Sequence, residues 1–375
     1  MLQGSVAQTL MLMMGNTNMI QGEPGVIVGP ISNFLGVILN TIFNFVYGIS
    51  PANSLGISII LLTIFARFLM LPLAFGQQKS MMAMQKLAPE VEKIKKKYAD
   101  QKTQEAKQKM NAEVQKLYSE NKVNPFMGCL PILIQMPIFI ALNYIMQQSY
   151  VFINVLGDLY YRSANSLVQT INNMPGLLDA DGFMTVFRPL LQSKIPDNMA
   201  ADFAAQGIDI FQNPEITAKI INRFSTAEWL ETVAAMPDAA TQEAMNALLA
   251  QKAQIDQFFG IDLISAPMLF DGGFGNIMAN MWPGVLIPLM ALITTALSSY
   301  IMTKQSIATG PNAQMQQRMM LIMMPIMMGF FTATFPAGVG LYWITSTVFQ
   351  VAQQMIIFKF FKGKMGIVSV EKDKK

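Results

Sequence analysis

The chain has 375 residues, of which 52% are hydrophobic and 13% charged, with a mean hydropathy of +0.37 and a formal net charge of +3. Charged residues are about half as frequent as the roughly 25% typical of soluble domains, which indicates a membrane protein. The sequence has no histidine and one cysteine, so catalysis by imidazole and an intramolecular disulfide are both excluded.

The first 53 residues carry a single charge, Glu23. We expect an extracytoplasmic tail over 1–53, because an almost uncharged segment this short is easily translocated. Within it, residues 30–48 place three asparagines on one helical face and large apolar side chains on the other, which predicts a helix lying in the membrane interface. The segment is also long enough to cross the bilayer, and a true span is the alternative.

Residues 54–76 form an apolar segment whose only charge is Arg67. At about 1.5 Å per residue, such a helix spans the roughly 30 Å hydrocarbon core, so the segment predicts the first transmembrane helix. An arginine well inside such a helix is costly unless it faces water or a partner, and it therefore marks a functional site. The alternative is an idle arginine whose side chain snorkels to the headgroups.

Residues 77–123 hold 11 of the 26 basic residues, and their apolar residues follow i, i+4, i+7 spacing in two sets. The pattern is interrupted around Asp100, which predicts two amphipathic helices forming a hairpin. Its basic excess assigns the hairpin to the cytoplasm by the positive-inside rule.

Four further apolar segments predict transmembrane helices, giving five spans in an all-α polytopic membrane protein. The predicted elements after the hairpin are spans at 124–150, 281–303, 319–335 and 337–358, an extracytoplasmic region at 151–280, a cytoplasmic loop at 304–318 and a basic cytoplasmic tail at 359–375. The region 151–280 is acidic and contains Ala-rich helical pieces, so we expect a small helical insert at about 160–257. The charge distribution then places the N-terminus outside and the C-terminus in the cytoplasm.

Arg67 is accompanied by four recognisable stretches: APEVEKIKKKY (88–98), NPFMGCLPILIQMPIFIAL (124–142), FFGIDL (258–263) and FPAGVGLYWITSTVFQVAQQ (335–354). In this order and topology they resemble the YidC/Oxa family of membrane protein insertases, in the five-span form usual in Gram-positive bacteria. The resemblance covers about residues 50–155 and 257–360. The region at about 160–257 is far longer than the family's usual connection there, so the resemblance implies no role for the insert. Thr347 departs from the resemblance, because many relatives have asparagine there.

The resemblance implies a protein of the bacterial plasma membrane that catalyses no chemical reaction and uses no cofactor or metal. Such a protein moves short hydrophilic segments of nascent membrane proteins across the bilayer and releases their hydrophobic helices into lipid, through a hydrophilic groove that contains Arg67. The implied partners are nascent membrane proteins, membrane lipids and the Sec translocon, with ribosome or signal recognition particle components binding the hairpin and the basic tail.

Polar residues of the predicted spans are assigned to the lining of this groove. They are Arg67, Gln135, Asn143, Gln147, Thr294, Ser298, Ser346, Gln350 and Gln353. Only Arg67 carries over from the family, and hydrogen bonding between helices is the alternative for each of the others.

Two other classes of function compete with this hypothesis. An intramembrane hydrolase needs a nucleophile with a base, or metal ligands, yet the five predicted spans contain no Asp, Glu, His or Lys. A small-solute transporter or channel is the alternative, because Arg67 would serve equally as an anion site. Such folds usually show broken-helix repeats in their two halves, which this sequence does not display.

Overall fold

Helices dominate the computed structural model, which describes residues 25–99, 103–124, 130–173, 183–195, 213–222, 224, 226–236, 239–267, 283–305 and 311–365. The helices are α1 Val28–Ile49, α2 Ser54–Leu69, α3 Leu71–Lys97, α4 Gln104–Glu120, α5 Leu130–Gln147, α6 Ser149–Phe152, α7 Asn154–Asn173, α8 Phe183–Lys194, α9 Pro214–Ile221, α10 Thr226–Ala234, α11 Ala239–Asp256, α12 Leu286–Gln305, α13 Pro311–Thr334 and α14 Ala337–Met365. Two short antiparallel strands, β1 Gln257–Phe258 and β2 Ile261–Asp262, follow α11.

The described residues fall into two compact units. The first unit draws on Met1–Leu62, Met136–Leu286 and Thr332–Leu341. The second unit draws on Thr63–Gln135, Ile287–Phe331 and Tyr342–Lys375. Arg67 belongs to the second unit, and the predicted insert belongs to the first.

Several helices have the length and composition of membrane spans. Within the described residues, α1 and Leu286–Thr303 are each long and apolar enough to cross a membrane, and the bent pair α2 and α3 passes the same test as one span. Leu133–Gln147 and Leu321–Thr334 are apolar but shorter. The chain is therefore an all-α membrane protein. That it has five spans, and that residues 30–48 lie in the membrane interface, stay predictions.

The helix expected over 54–76 is interrupted at Met70. Helix α2 ends at Leu69, α3 begins at Leu71, and the two helices are bent by 57°. Pro72 accounts for the break, because its ring cannot donate a backbone hydrogen bond and clashes with the carbonyl four residues earlier. Arg67 consequently lies in the last turn of α2 rather than near the middle of a long helix.

Other helix ends also differ from the predicted boundaries. Helix α12 continues to Gln305 and α13 already begins at Pro311, so most of the predicted loop 304–318 is helical. Helix α14 continues to Met365, past the predicted end at 358. The predicted N-terminal tail before residue 25, the loop residues 306–310 and the basic tail after residue 365 lie outside the described residues.

Helices α3 and α4, in the segment predicted to form a hairpin, are joined by an ion pair. Lys97, at the end of α3, places its Nζ 3.1 Å from Glu113 Oε1 on α4. This hydrogen bond lowers the pKa of Glu113 and raises the pKa of Lys97. Thr103 caps α4 by accepting a hydrogen bond from the Ala106 amide at 3.3 Å. The remaining lysines of the hairpin are mostly on its exposed face.

The predicted insert has its own aromatic core in the first unit. Phe183 stacks on Phe187 at 5.1 Å between ring centroids, Phe187 meets Phe224 edge-on at 6.1 Å, and Phe224 meets Trp229 at 5.9 Å. All four rings are buried, as is Tyr160 of α7. Burial of these large side chains between short amphipathic helices supplies the hydrophobic stabilisation that a cysteine-free region of this size needs.

Helix α11 attaches this core to the segment that precedes α2. The carbonyl of Gln254 accepts a hydrogen bond from the Asn53 amide at 3.0 Å, and Gln251 Nε2 donates to the Tyr47 hydroxyl at 3.3 Å. Asn53 has a φ of 60°, a left-handed conformation that asparagine tolerates better than most residues. Its side-chain oxygen accepts from the Phe259 amide at 3.0 Å. The insert is therefore hydrogen-bonded to residues that precede the first predicted span.

The FFGIDL stretch forms the strands β1 and β2 and then receives the start of α14. The amide of Gly338 donates to the Leu263 carbonyl at 2.8 Å, and the amide of Ala337 donates to the Ser265 carbonyl at 2.9 Å. The Cα of Gly338 is so closely packed that a Cβ there would lie 3.1 Å from the Leu263 carbonyl oxygen and 2.9 Å from Met146 Sδ. Two of the stretches that carry the family resemblance thus meet in the first unit.

Candidate functional site

Arg67 lies among hydrogen-bond acceptors that carry no charge. Its Nε donates to Ser346 Oγ at 2.8 Å, and its Nη2 donates to the same oxygen. The Nη2 also donates to Gln135 Oε1 at 3.3 Å and, more weakly, to Gln350 Oε1 at 3.5 Å. Within the described part of the chain, no carboxylate lies within 4.0 Å of the guanidinium. These contacts orient the side chain but leave its positive charge unneutralised.

Helix α14 carries two of these acceptors, Ser346 and Gln350, on the same side because they are four residues apart. Tyr342, Ser346 and Gln350 lie on one helical face. Ser346 is 1% exposed and Tyr342 is 4% exposed. Gln135 Nε2 donates to the Tyr342 hydroxyl at 2.7 Å. Because its nitrogen is held by the tyrosine, the amide of Gln135 keeps its oxygen directed at Arg67.

Arg67 also lines a cavity of about 50 Å³, which we call the Arg67 cavity. Its polar lining consists of one arginine and six glutamines, and the rest of the lining is apolar. The polar lining residues are Arg67, Gln77, Gln78, Gln135, Gln350, Gln353 and Gln354. Since about 10–15 Å³ is enough for one water, the cavity has room for a ligand of several heavy atoms or for a small ion with water.

Two amides of this cavity have an atom that no described residue bonds. They are Gln78, whose Nε2 is an unused donor, and Gln354, whose Oε1 is an unused acceptor. Gln78 is only 5% exposed. A buried amide atom that is left without a hydrogen bond costs about 1–3 kcal/mol.

Two of the predicted lining residues, Thr294 and Ser298 on α12, are not part of the Arg67 cavity lining. They are 9% and 7% exposed, and the Thr294 hydroxyl donates to the Met290 carbonyl of its own helix at 2.7 Å. Their neighbour Thr295 instead accepts a hydrogen bond from Trp343 Nε1 at 2.9 Å, which joins α12 to α14. The role of Thr294 and Ser298 in lining a groove stays a prediction.

Asn143 and Gln147 belong to the first unit. Gln147 Nε2 donates to Asn143 Oδ1 at 3.2 Å, and the Gln147 carbonyl accepts from Asn222 Nδ2 at 2.9 Å. Asn222 also accepts from Ser149 Oγ at 3.1 Å. These bonds join the end of α5 to the residue after α9. The bond between the two amides lies within α5, and the bond to Asn222 uses the backbone carbonyl of Gln147. The lining role of Asn143 and Gln147 and its alternative, hydrogen bonding between helices, therefore both stay predictions.

The sequence interpretation did not include Gln77, Gln78, Gln354 or Tyr342 in the site. Gln77 and Gln78 stand at the start of the lysine-rich stretch, whose composition indicates a solvated hairpin. Gln354 directly follows Gln353, which the interpretation did include. The three glutamines could have been found from the high density of glutamines at the ends of two apolar segments, 54–76 and 337–358. Tyr342 has no such signal.

The groups around Arg67 are hydrogen-bond donors and acceptors that can bind a polar or charged group. Among the described residues, no three His, Cys, Asp or Glu side chains are close enough to hold a metal ion. What the fold and the site define is an all-α membrane protein that holds an arginine and a set of amides around a small cavity.

The comparisons with known proteins agree with this class. The model of the family described as "60Kd inner membrane protein" matches residues 45–193 and 234–364. The chain is 45% identical over 112 residues to "Membrane protein insertase YidC" of Fusobacterium nucleatum, which is 30% of this chain and 49% of that protein. It is 41% identical over 124 residues to the protein of the same name from Clostridium perfringens, which is 32% of this chain and 49% of that protein.

A further relative matches along nearly its whole length. "Membrane protein insertase YidC" of Caldanaerobacter subterraneus is 26% identical over 336 residues, which is 90% of this chain and 98% of that protein. In the two more similar matches, the chain spans about half the length of the relative.

The chain belongs to the 60Kd inner membrane protein family, and the resemblance to the YidC/Oxa family is confirmed. The family match extends into both ends of the predicted insert, so that between its two segments only residues 194–233 are unmatched. The family match thus extends further into the predicted insert than the stretches that carry the resemblance. Family and apolar helices together support a location in the bacterial inner membrane.

Proposed function

We propose that this protein is a membrane protein insertase. It moves short hydrophilic segments of nascent membrane proteins across the bilayer and releases their hydrophobic helices into lipid, without catalysing a chemical reaction. Three relatives named as membrane protein insertases support this function.

The observation that carries the proposal is the environment of Arg67. The guanidinium is held by neutral acceptors, Ser346 and Gln135, beside a cavity whose polar lining is mostly amide. A charged or hydrogen-bonding group of the segment that reaches this cavity exchanges water for protein dipoles instead of for hydrocarbon. This exchange lowers the cost of moving polar groups across the membrane. The positive charge attracts acidic residues of the segment.

The wider architecture belongs to the same proposal. Five spans surround a groove that opens to the cytoplasm and to lipid, with the N-terminus outside and the C-terminus inside. The hairpin of α3 and α4 exposes lysines on the cytoplasmic side, where they suit ribosomal RNA or anionic lipid. Nascent membrane proteins and membrane lipids are the expected partners, with the Sec translocon, the ribosome and the signal recognition particle as further ones.

Reconstitution of the purified protein into liposomes tests the function. The substrate is a one-span protein with a short acidic N-terminal tail, and the readout is protection of that tail from external protease. We expect insertion above the level of empty liposomes, a loss in Arg67→Ala, and no loss in the matched control Arg162→Ala. Arg162 is a partly exposed arginine on α7 that pairs with Asp158.

The same vesicles separate the insertase from the alternative function, a small-solute anion transporter or channel. An insertase gives tail protection without an anion flux that depends on the protein. Anion flux that Arg67→Ala abolishes, with no tail protection, would favour the transporter and overturn the proposal.

A further inference from the structure

The turn between β1 and β2 departs from the usual chemistry of a two-residue hairpin loop. Phe258 pairs with Ile261, so Phe259 and Gly260 form the loop, and their φ values are 50° and 80°. A loop with positive φ at both positions prefers Asn-Gly, Asp-Gly or Gly-Gly. Gly260 fits this preference, whereas a bulky side chain such as that of Phe259 is an outlier in the left-handed region. Such an outlier costs free energy, which points to a function for the Phe259 side chain.

The neighbouring backbone holds the turn in this conformation. The Phe259 amide donates to Asn53 Oδ1 at 3.0 Å, and Asn53 itself has a φ of 60°. The Asn53 amide in turn donates to the Gln254 carbonyl at 3.0 Å. The ring of Phe258 lies against the backbone of Gly56, where a Cβ would clash with Phe258 Cδ2. Phe258 therefore packs on the protein, while the strained residue beside it is left exposed.

Phe259 is 79% exposed, more than any other large apolar residue of the described chain except Val26. Its ring meets the ring of Phe258 edge-on at 4.7 Å between centroids. Phe259 stands between two strands and not on one of the apolar helices, so lipid around a membrane span does not account for its exposure. Because burial of apolar surface is favourable, the exposed ring favours an apolar partner outside the chain.

The turn lies beside the first residues of two candidate membrane spans. Asn53, which accepts the hydrogen bond from the Phe259 amide, directly precedes α2. At the second loop position, a Cβ on Gly260 would lie 3.8 Å from Pro283 Cγ. The carbonyl of Pro283 accepts a hydrogen bond at 3.0 Å from the amide of Leu286, the first residue of α12. Both the first 18 residues of α12 and the bent pair of α2 and α3 are long and apolar enough to cross a membrane. Such helices enter the bilayer near their first residues, so the turn lies close to the membrane surface.

We propose that Phe259 is a membrane anchor whose ring inserts among the lipid headgroups and the first acyl carbons, in the leaflet at which α2 begins. Aromatic side chains are favoured in this layer, where segments lying on a membrane bury their apolar residues. The partner of the exposed ring is therefore lipid, and the contact holds the turn at the membrane surface. The inference goes beyond the proposed function, because it needs α2 to cross the membrane but does not need the chain to insert other proteins.

Spin labels on the full-length protein in lipid nanodiscs measure the depth of residue 259. Cys129→Ser removes the single cysteine of the chain, so that Phe259→Cys carries the only label. The readout is relaxation of the label by oxygen, which partitions into lipid, and by a nickel chelate, which stays in water. We expect stronger relaxation by oxygen than by the chelate. Stronger relaxation by the chelate would overturn the proposal.

Leu230→Cys is the matched control in the same background. Leu230 is an apolar residue on α10 that is 52% exposed, but it belongs to the predicted insert and not to the turn. Its label should be relaxed more by the chelate than by oxygen. Equal depths at the two positions would show that exposed apolar residues of the first unit contact lipid in general, and would overturn a specific anchor at Phe259.

Phe259→Trp keeps an aromatic ring, which protects the test against a labelled variant that fails to fold. Its fluorescence is the signal added to that of the three native tryptophans. This signal should shift to shorter wavelengths and lose most of its intensity when the nanodiscs contain lipids brominated high on their acyl chains. Lipids brominated near the chain ends should quench it less. An added signal that brominated lipid leaves unchanged would overturn insertion of the ring.

Crosslinking in cells separates lipid from a protein partner. A photoreactive phenylalanine analogue at position 259 should give crosslinks to lipid and no discrete protein adduct. A protein adduct that disappears when the analogue is moved to position 230 would assign the exposed ring to a protein partner and overturn the lipid assignment.

Discussion

The Nε of Arg67 donates a 2.8 Å hydrogen bond to the hydroxyl oxygen of Ser346, which lies 279 positions later in the chain. The same oxygen accepts from Nη2 of the guanidinium, so one small side chain fixes two of its nitrogens. Ser346 is 1% exposed and has little room to move. The orientation of the Arg67 guanidinium thus depends on Ser346.

Ser346→Ala should reduce the initial rate of insertion of a substrate with an acidic tail by about tenfold to a hundredfold, because a hydrogen bond to a charged group is worth about 1.5–3 kcal/mol. Ser346→Thr keeps the hydroxyl and should retain most of the rate. Ser58→Ala is the control, since the Ser58 hydroxyl bonds the Ser54 carbonyl of its own helix. A normal rate in Ser346→Ala would show that the serine does not position Arg67.

Arg67→Lys should retain substantial insertion activity, because a positive charge remains in the cavity. Arg67→Ala should impair substrates with acidic N-terminal tails more than substrates with neutral tails. Both are measured in proteoliposomes with paired substrates that differ only in tail charge. Equal losses on the two substrates, or none on either, would contradict an electrostatic role for Arg67.

Gly338→Ala should lower the thermal unfolding midpoint by a few degrees, corresponding to about 1–3 kcal/mol of overpacking. The new methyl group would lie 3.1 Å from the Leu263 carbonyl oxygen, a backbone atom that cannot rotate away. Gly48→Ala is the matched control, because no atom lies within 4 Å of the position of its Cβ. Midpoints are read in detergent by intrinsic fluorescence, and an unchanged midpoint in Gly338→Ala would contradict the close packing.

Lys252→Met should destabilise the first unit by about 3–5 kcal/mol, because it leaves the buried carboxylate of Asp256 without its partner. The Lys252 Nζ lies 2.6 Å from Asp256 Oδ2, and the side chains are 4% and 0% exposed. Lys252→Met combined with Asp256→Leu should recover most of the loss. For comparison, Arg162→Met breaks the exposed pair with Asp158 and should cost less than about 1 kcal/mol. Additive losses in the double variant would contradict a coupled pair.

The same pair should be insensitive to moderately alkaline pH. Burial opposes the charged ammonium of Lys252, but Asp256, Tyr160 and Asp262 outweigh it, so the pKa of Lys252 lies above its ordinary value of 10.5. A group whose folded pKa is raised keeps its stabilising contribution below the unfolded pKa and loses it only as the pH rises through the folded one. The difference in unfolding midpoint between wild type and Lys252→Met should therefore not shrink between pH 7 and pH 9. A difference that shrinks at pH 9 would contradict this protonation state.

The sequence predicted the centre of the candidate site better than its edges. Arg67 stood out because its segment is otherwise apolar, and Ser346 and Gln350 followed from helical spacing on one face. The structure brings these three into hydrogen-bond contact. Gln78 was overlooked because the lysines after it determine the composition of its segment. Tyr342 was overlooked because a tyrosine is unremarkable in an apolar helix, and only the contact with Gln135 gives it a role.

The bend at Met70 and the attachment of the insert could not be derived from periodicity. Apolar helices tolerate proline when neighbours satisfy the freed backbone groups, so Pro72 alone did not predict a break. The bond between Asn53 and the Gln254 carbonyl joins residues about 200 positions apart. No local pattern encodes such a pair.

The polar side chains around the Arg67 cavity are a guanidinium and six carboxamides, which has a consequence for energy coupling. A guanidinium keeps its proton in proteins, and carboxamides do not titrate. These side chains therefore neither take up nor release protons while a segment crosses the membrane. A proton gradient cannot drive insertion by protonating them. The electrical part of a proton-motive force, about 2.3 kcal/mol per elementary charge per 100 mV, would act directly on the charges of the nascent segment that crosses the membrane.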